Sequence, residues 1–303
     1  MKKIIVRILL SLAAILLSLT VWAYFWPSLT DETELLAPGS FEDFYPSTGS
    51  KETWERMFAP QSQHFSHSFE MIRKSVDAEQ IGDAVDIEAL DLLDAAYALS
   101  QADFDIPRFT PEKKSGTDFG KFRDYIKFVT LLPPEENREH YEAALRLSET
   151  YMARSKTLVD YMMALSAIGI LQDSGFESET YANEWRDALG RAVRSEYYFA
   201  RESDEIGGRF LFQEAKTWND MWRYLAFIGE CIANDNIEAM NERAESIVTE
   251  WMRWPYTNLK GELILAMAFP SIETIYQKSL ELEQKIHQGA GINSVTSLRD
   301  STP

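Results

Sequence analysis

Metal-binding side chains recur at helical spacing near the start of the chain. His64, His67 and Glu70 form the pattern H-x-x-H-x-x-E. A spacing of three residues places side chains near one face of a helix, and imidazole and carboxylate groups are ligands that zinc accepts. The pattern differs from the H-E-x-x-H of zinc hydrolases, and the sequence singles out no fourth ligand. We therefore expect a solvated polar face and assign no metal ligand, although this group is the most site-like in the chain.

Other sequence patterns that could carry chemistry are incomplete. Gly116 to Lys121 has only three residues between its glycines, and Phe122 stands where a phosphate-binding loop needs Ser or Thr for magnesium. His140 and His287 have glutamate neighbours, but these lack the Glu-x-x-His spacing of di-iron helical bundles. No serine lies in a G-x-S-x-G elbow or three residues before a lysine. The sequence therefore assigns no catalytic, cofactor-binding or metal-binding residue, and it favours a non-enzymatic protein over an enzyme.

Two groups of residues could belong to a carbohydrate site. Glu245 and Ser246 resemble the glutamate-serine pair of lytic transglycosylases, but the downstream glycine-methionine-glutamine signature of that family is absent. Aromatic side chains could line a sugar or peptide groove, although at helical spacing they more often fill a core. These are Trp218, Trp222, Tyr224, Trp251, Trp254 and Tyr256, of which the last two flank Pro255 and fit a core interpretation least.

Composition limits the classes of partner. The chain carries 48 acidic against 30 basic side chains, a formal charge of −18. This acidity excludes nucleic acid, because the phosphate backbone would be repelled. Apolar residues make up 45% of the chain, which is typical of a globular protein. Cys231 is the only cysteine, so no intramolecular disulfide can form, and we expect packing to hold the fold with Cys231 buried.

The N-terminal segment predicts a membrane location. Residues 8–26 form an uncharged apolar run, preceded by Lys2, Lys3 and Arg7 in a basic start over residues 1–7. A helix of this length spans about 28 Å, close to the hydrocarbon thickness of a bilayer. Basic residues remain on the cytoplasmic side, so we expect the N-terminus in the cytoplasm and the remainder beyond the membrane.

The competing interpretation is a cleaved signal peptide, with cleavage after Ala23 in Val21-Trp22-Ala23. The aromatic residues that follow, Tyr24 and Trp26, favour an uncleaved anchor because such side chains lie at the membrane interface. No cysteine is available beside the segment for lipid attachment. The short basic start, the single anchor and the absence of a glycosylation sequon predict a bacterial inner membrane, with the body in the periplasm.

The body is predicted to be all-α. Residues 27–50 are rich in proline and glycine and are interpreted as a tether, and residues 289–303 as a disordered tail. No stretch shows the alternation of a sheet protein, and Arg209 to Gln213 is only a short strand candidate. The helical body occupies residues 51–288, with helices predicted over residues 51–59, 63–78, 86–101, 121–132, 135–153, 157–174, 178–202, 217–233, 235–254, 259–269 and 271–287.

Three helices carry specific expectations. In the helix over residues 86–101, one apolar face is expected to pack inward; it consists of Ile87, Leu90, Leu93 and Tyr97, with Leu92, Ala95, Ala96 and Ala98 beside them. The helix over residues 157–174 is apolar around most of its circumference, which predicts a core helix buried on all sides. Asp235, with Glu238 three residues later, predicts a capping box at the start of the next helix.

The segment Tyr224 to Pro255 resembles one helix-turn-helix unit of a tetratricopeptide-type repeat. The resemblance implies packed helical hairpins and nothing about a partner. No second copy recurs at a fixed spacing, whereas a solenoid needs several.

Two functions remain open from the sequence. The favoured hypothesis is a single-pass membrane-anchored scaffold or interaction module that binds an envelope protein, and it predicts an exposed apolar patch. The alternative is an exported hydrolase or small-ligand-binding domain with a site assembled from scattered helical positions, and it predicts a deep pocket with convergent polar groups.

Overall fold

The fold is all-helical, as the sequence predicts. The computed structural model describes residues 13–19, 21, 35–45, 49–79, 87–107, 117–176, 178–206, 215–243 and 272–288. Within these ranges the helices pack on one another and no strand occurs. An isolated parallel bridge pairs Ser50 with Phe104. The strand candidate at residues 209–213, the predicted helix over residues 259–269 and the tail over residues 289–303 lie outside the described residues.

Every helix that was predicted and has both ends described begins and ends within four residues of its predicted position, whereas α1 lies in the predicted tether and was not anticipated. In chain order they are α1 (Phe41–Phe44), α2 (Glu52–Phe58), α3 (Ser66–Ala78), α4 (Ile87–Ser100), α5 (Phe119–Leu131), α6 (Arg138–Ala153), α7 (Leu158–Asp173), α8 (Glu179–Ile206) and α9 (Ala215–Ala233), followed by the helical segments α10 (237–243) and α11 (272–288).

The predicted anchor over residues 8–26 is described only at residues 13–19 and 21, which are helical and mostly exposed. No helix in the described part of the chain has both the length and the apolar character needed to cross a membrane. The remaining residues of the predicted anchor lie outside the described ranges.

The first half of the body packs around the indole of Trp54, which is fully buried. Its ring lies 5.3 Å from that of Phe104, 5.5 Å from that of Phe122 and 5.1 Å from that of Tyr151. The indole Nε1 donates a hydrogen bond of 3.0 Å to Thr117 Oγ1. Because the polar edge is satisfied, the large apolar surface of the indole is buried without the cost of an unpaired donor.

The second half of the body is built on the α8–α9 hairpin. The two helices run antiparallel and approach so closely at Gly190 and Gly229 that a Cβ on either residue would lie 2.5 Å from the carbonyl oxygen of the other. Only glycine permits this separation, so the crossing point is fixed by two residues that lack side chains.

The described part of the predicted tether packs on this hairpin. The backbone N–H of Leu36 donates to Asn219 Oδ1 at 2.8 Å, and the hydroxyl of Tyr198 donates to the carbonyl of Pro38 at 3.2 Å. The ring of Phe44 in α1 lies 5.7 Å from that of Trp222. Aromatic burial thus fixes residues 35–45 in place, although proline and glycine in this segment suggested a loose linker.

One local prediction is wrong in part, and another is wrong by one residue. In α4, Leu92, Leu93 and Ala96 of the predicted face are buried, but Leu90 and Tyr97 are exposed. The helix packs on α3 and α6 through a face that also includes Ala89. At the turn before α10, Asp235 has a left-handed φ of 54° and ends α9. Asn236 caps α10 instead, its Oδ1 accepting from the N–H of Ala239 at 3.2 Å. The hairpin that resembles a tetratricopeptide unit is described only as far as residue 243.

Candidate functional site

The residues predicted as most site-like do not converge. His64 lies before the start of α3, and its Nε2 lies 2.6 Å from Arg56 Nη2. His67 and Glu70 lie on α3 and are exposed, and Glu70 pairs with Lys74 at 2.8 Å. The hydrogen bond and charge of Lys74 lower the pKa of the Glu70 carboxyl. Among the described residues no three His, Cys, Asp or Glu side chains are placed to hold a metal ion.

Three further residues that the sequence singled out, Lys121, His140 and His287, lie at separate positions in the fold. Lys121 Nζ donates to the carbonyls of Ala59 and Ser62 at 3.2 and 2.8 Å, so this lysine holds the chain after α2. His140 is buried in α6 and His287 is exposed at the end of α11.

The aromatic and thiol candidates of α9 belong to the core. Trp218 and Tyr224 are buried, and Trp222 packs against that core. Cys231 is buried, and burial raises the pKa of its thiol. The other sequence candidates, Glu245, Ser246, Trp251, Trp254 and Tyr256, lie outside the described residues.

The strongest concentration of polar groups is a buried ionic cluster between α6 and α7. Lys156 Nζ lies 2.7 Å from Asp105 Oδ2, and both side chains are only 2% exposed. The same ammonium group donates to the carbonyl of Ile106 at 2.6 Å. Burial lowers the pKa of Lys156, and the hydrogen bond and charge of Asp105 oppose that shift. A buried charge survives only when it is paired and hydrogen-bonded, as it is here.

Asp160 is the second carboxyl of the buried ionic cluster. Its Oδ2 accepts from Thr157 Oγ1 at 3.0 Å and from the N–H of Lys156 at 3.3 Å, and its Oδ1 accepts from the Tyr151 hydroxyl at 3.3 Å. Burial raises the pKa of Asp160 to about 6, and these hydrogen bonds oppose the shift. Thr157 also caps α7, its hydroxyl accepting from the N–H of Asp160. The cluster therefore fastens the start of α7 to the chain after α4.

A second set of polar contacts fastens α11 to α7 and α8. The Tyr161 hydroxyl lies 2.9 Å from Ser279 Oγ, and the Tyr181 hydroxyl donates to the Ser279 carbonyl at 2.9 Å. Arg186 forms a bidentate ion pair with Glu283, in which Nη1 donates to Oε1 at 2.7 Å and Nη2 donates to Oε2 at 3.0 Å. These contacts fix the position of α11 and leave the other side of α7 open.

The open side of α7 forms a groove with α11 of about 790 Å³. Its walls are mostly apolar, and it is open to solvent. The described residues that line it are Met162, Met163, Leu165, Ser166 and Gly169 of α7 and Thr274, Ile275, Lys278, Glu281, Leu282 and Lys285 of α11. We call this feature the α7–α11 groove.

The groove corrects the prediction that α7 is buried on all sides. Val159 is 41% exposed and Met162 is 44% exposed, and Ser166 on the same stripe is exposed as well. The opposite side of the helix, including Tyr161 and Ile168, is fully buried. Composition shows that every side of this helix is apolar, but only tertiary packing decides which sides are covered.

Sequence reasoning missed both features, and a signal existed for one. Thr157 and Asp160 form the pattern of a helix cap that precedes an apolar run, so a buried carboxyl at the start of α7 could have been anticipated. The partner Asp105 lies 51 residues from Lys156, and no local pattern joins them. The groove has no motif at all, because its two walls are separated by more than 100 residues.

The chain was also compared with known proteins. None of the three comparisons, with protein-family models, with curated proteins and with solved structures, gives a match. The proposals below therefore rest on the sequence and on the geometry of the described residues.

Proposed function

We propose that this protein is a single-pass membrane-anchored interaction module of the bacterial cell envelope. Residues 8–26 anchor it in the inner membrane with the N-terminus in the cytoplasm. The helical body lies in the periplasm and binds an envelope protein. The observation that carries the interaction role is the mostly apolar α7–α11 groove, at which Met162 of α7 is 44% exposed.

An apolar stripe in water supports binding to a protein. Soluble proteins rarely expose contiguous large apolar patches, and those that do commonly use them to bind another molecule. The methionines Met162 and Met163 on this stripe are flexible and polarisable, so they can adapt to a partner surface. The charged side chains of the described lining, Lys278, Glu281 and Lys285, are all exposed, whereas a reaction needs convergent buried polar groups.

A small-ligand-binding domain is the second candidate, and one observation favours it. The groove volume of 790 Å³ lies within the range of about 300–1,000 Å³ that is usual for ligand sites. The open shape of the groove favours the first proposal, because a small ligand is usually enclosed over most of its surface. The exported-hydrolase alternative has no comparable support among the described residues.

A crosslinking pull-down from membranes of the native cell tests the interaction role. The full-length protein is compared with a truncation that begins at Ser28 and so keeps the body but loses the anchor. We expect one envelope protein to be recovered in stoichiometric amount with the anchored protein. Recovery of nothing above background, together with a small molecule that raises the melting temperature, would instead select the ligand-binding candidate.

The anchor is tested separately. We expect the mature protein to keep its original N-terminus and to remain in the membrane fraction after alkaline carbonate extraction. N-terminal sequencing that begins at Tyr24, with release of the protein into the soluble fraction, would show cleavage after Ala23 and contradict the anchor.

A further inference from the structure

The α7 wall of the groove carries two small residues, which allow the backbone of another helix to approach closely. Ser166 and Gly169 lie one helical turn apart on this wall, and a Cβ added at Gly169 would meet nothing within 4 Å. The space above Gly169 is therefore not filled by a side chain of the described residues. Small residues at this spacing allow two helices to pack closely.

The α11 wall supplies positive charge in an acidic protein. Lys278 and Lys285 are seven residues apart, so they lie on the same side of α11 at a separation of about 10 Å. Lys278 has no ion-pair partner among the described residues, and Lys285 pairs with Asp173 in a contact where both side chains are at least 60% exposed. The described lining holds two lysines against one carboxylate, Glu281, whereas acidic residues outnumber basic ones in the whole chain.

We infer that the α7–α11 groove binds an amphipathic helix of a partner protein, with the apolar stripe of that helix against α7 and its carboxylates against Lys278 and Lys285. This inference rests on the proposed interaction role and names the class of partner. Binding of an amphipathic helix in an apolar groove is a recurrent recognition mode, and complementary charge at the rim sets its specificity.

The spacing of the lysines selects a helix over a single-chain amphiphile. A fatty acid carries one carboxylate at one end and can meet only one of two lysines that are about 10 Å apart. A helix with acidic residues seven positions apart meets both. The existing Lys285–Asp173 pair does not prevent this, because an exposed ion pair is easily exchanged.

The test uses the full chain in lipid nanodiscs and a fluorescent helical peptide of about 20 residues. The peptide has leucines along one side and glutamates seven residues apart, and the comparison peptide has lysines in place of the glutamates. We expect fluorescence anisotropy to show binding of the glutamate peptide about tenfold tighter than of the lysine peptide. Equal affinity for the two peptides would overturn the inference.

Two substitutions at one position separate groove binding from a change in folding. Gly169→Phe fills the empty space, and we expect it to weaken binding of the glutamate peptide at least about tenfold. Gly169→Ala adds only one methyl group, and we expect affinity to remain within about twofold. Both replace a glycine inside a helix, so neither should unfold the protein. Unchanged binding by Gly169→Phe, with a native circular dichroism spectrum, would overturn the inference.

Charge reversal provides an independent test. In Lys278→Glu combined with Lys285→Glu, we expect the preference to change to the lysine peptide. The control is Lys127→Glu on the exposed side of α5, which makes the net charge more negative outside the groove and should leave the preference unchanged. If neither peptide binds while dodecanoate binds and Gly169→Phe blocks it, the occupant is an amphiphile and the inference fails.

The inference and the proposed function can fail separately. If the membrane pull-down recovers its partner equally well with Gly169→Phe, the interaction role stands and the groove assignment is wrong. If the pull-down recovers no partner, the interaction role fails, whatever the peptides show.

Discussion

Two regions beside α7 contain lysines in opposite environments. At its start, the buried ionic cluster encloses Lys156, which is 2% exposed and paired with Asp105. Along its outer side, the α7–α11 groove presents Lys278, which is exposed and has no ion-pair partner among the described residues. In the first region the polar groups converge, and the side chains of Lys156 and Asp105 are buried. In the second region there is an open groove, and the charged side chains of its described lining are exposed.

A reaction site needs both properties in one place, with titratable groups arranged around a cavity that admits a substrate. Among the described residues, the converging titratable groups lie in the buried ionic cluster and the cavity lies at the α7–α11 groove. The ionic cluster is therefore understood as a structural fastening, despite the raised pKa of Asp160. Perturbed pKa values occur in structural networks as well as in active sites. The groove, by contrast, is the surface to which we assign the proposed binding.

The largest expected effect is the loss of Lys156. In Lys156→Met the carboxylate of Asp105 remains buried without its main counter-charge, and we expect the free energy of unfolding to fall by about 3–5 kcal/mol. Urea denaturation measures the change. Lys127→Met on the exposed side of α5 is the control and should cost less than about 0.5 kcal/mol.

A double substitution sharpens this prediction. Combining Lys156→Met with Asp105→Leu removes both charges, and most of the lost stability should return. If the double variant is as unstable as the single variant, or if Lys156→Met costs less than about 1 kcal/mol, the cluster does not fasten α7 as described.

The next effect is a pH dependence due to Asp160. Its pKa is raised to about 6 by burial, above the value of about 3.9 for an unfolded aspartate, so the folded state binds the proton more tightly. The favourable contribution of Asp160 is complete below about pH 4 and is lost as the pH rises through about 6, a total of about 3 kcal/mol.

The comparison that isolates this effect is wild type against Asp160→Asn, by urea denaturation from pH 4 to 7. We expect the stability of the wild type relative to the variant to decrease as the pH rises. If the stability difference between wild type and Asp160→Asn is constant, or increases with pH, the pKa of Asp160 is not raised in the folded state.

The same Gly→Ala substitution at two helix-interior glycines is expected to change the stability by an intermediate amount, with opposite signs at the two positions. At Gly190 an added methyl would press on the carbonyl oxygen of Gly229, and we expect Gly190→Ala to cost about 1–3 kcal/mol. At Gly169 the space is open, so Gly169→Ala should stabilise by up to about 1 kcal/mol through helix propensity. Thermal or urea unfolding of both variants checks the opposite signs. A destabilised Gly169→Ala would mean that the groove is filled.

The smallest effect is expected at the groove rim. Asp173→Asn removes the partner of Lys285, but both side chains are more than half exposed, so the stability should change by less than about 0.5 kcal/mol. Binding of the glutamate peptide should be unchanged or tighter, because Lys285 becomes free to pair with it. A large loss of stability would show that the Lys285–Asp173 ion pair is needed to hold α11 against α7.

Most of the fold could be predicted from the sequence. Apolar periodicity, prolines and caps placed the helices, because these signals act within a few residues along the chain. The errors have tertiary causes. Leu90 was expected inside, but α4 turns its alanine-rich face toward α6, and Asp235 was expected to cap a helix that Asn236 caps.

The site could not be predicted for the same reason. The Lys156–Asp105 pair joins residues far apart in the chain, and the groove depends on where α11 lies beside α7. The apolar circumference of α7 was visible in the sequence, and the inference of complete burial followed from it. The alternative, that one apolar stripe is kept for a partner, is compatible with the same residues.

Photo-crosslinking from inside the groove tests the central claim most directly. A photoreactive amino acid is placed at Ser166, on the exposed stripe of α7, and at Lys127 as a control, in the full-length protein in living cells. We predict an adduct with one protein from position 166 alone, lost in Gly169→Phe and retained in Gly169→Ala. Identical adducts from both positions, or an adduct with lipid only, would contradict the account.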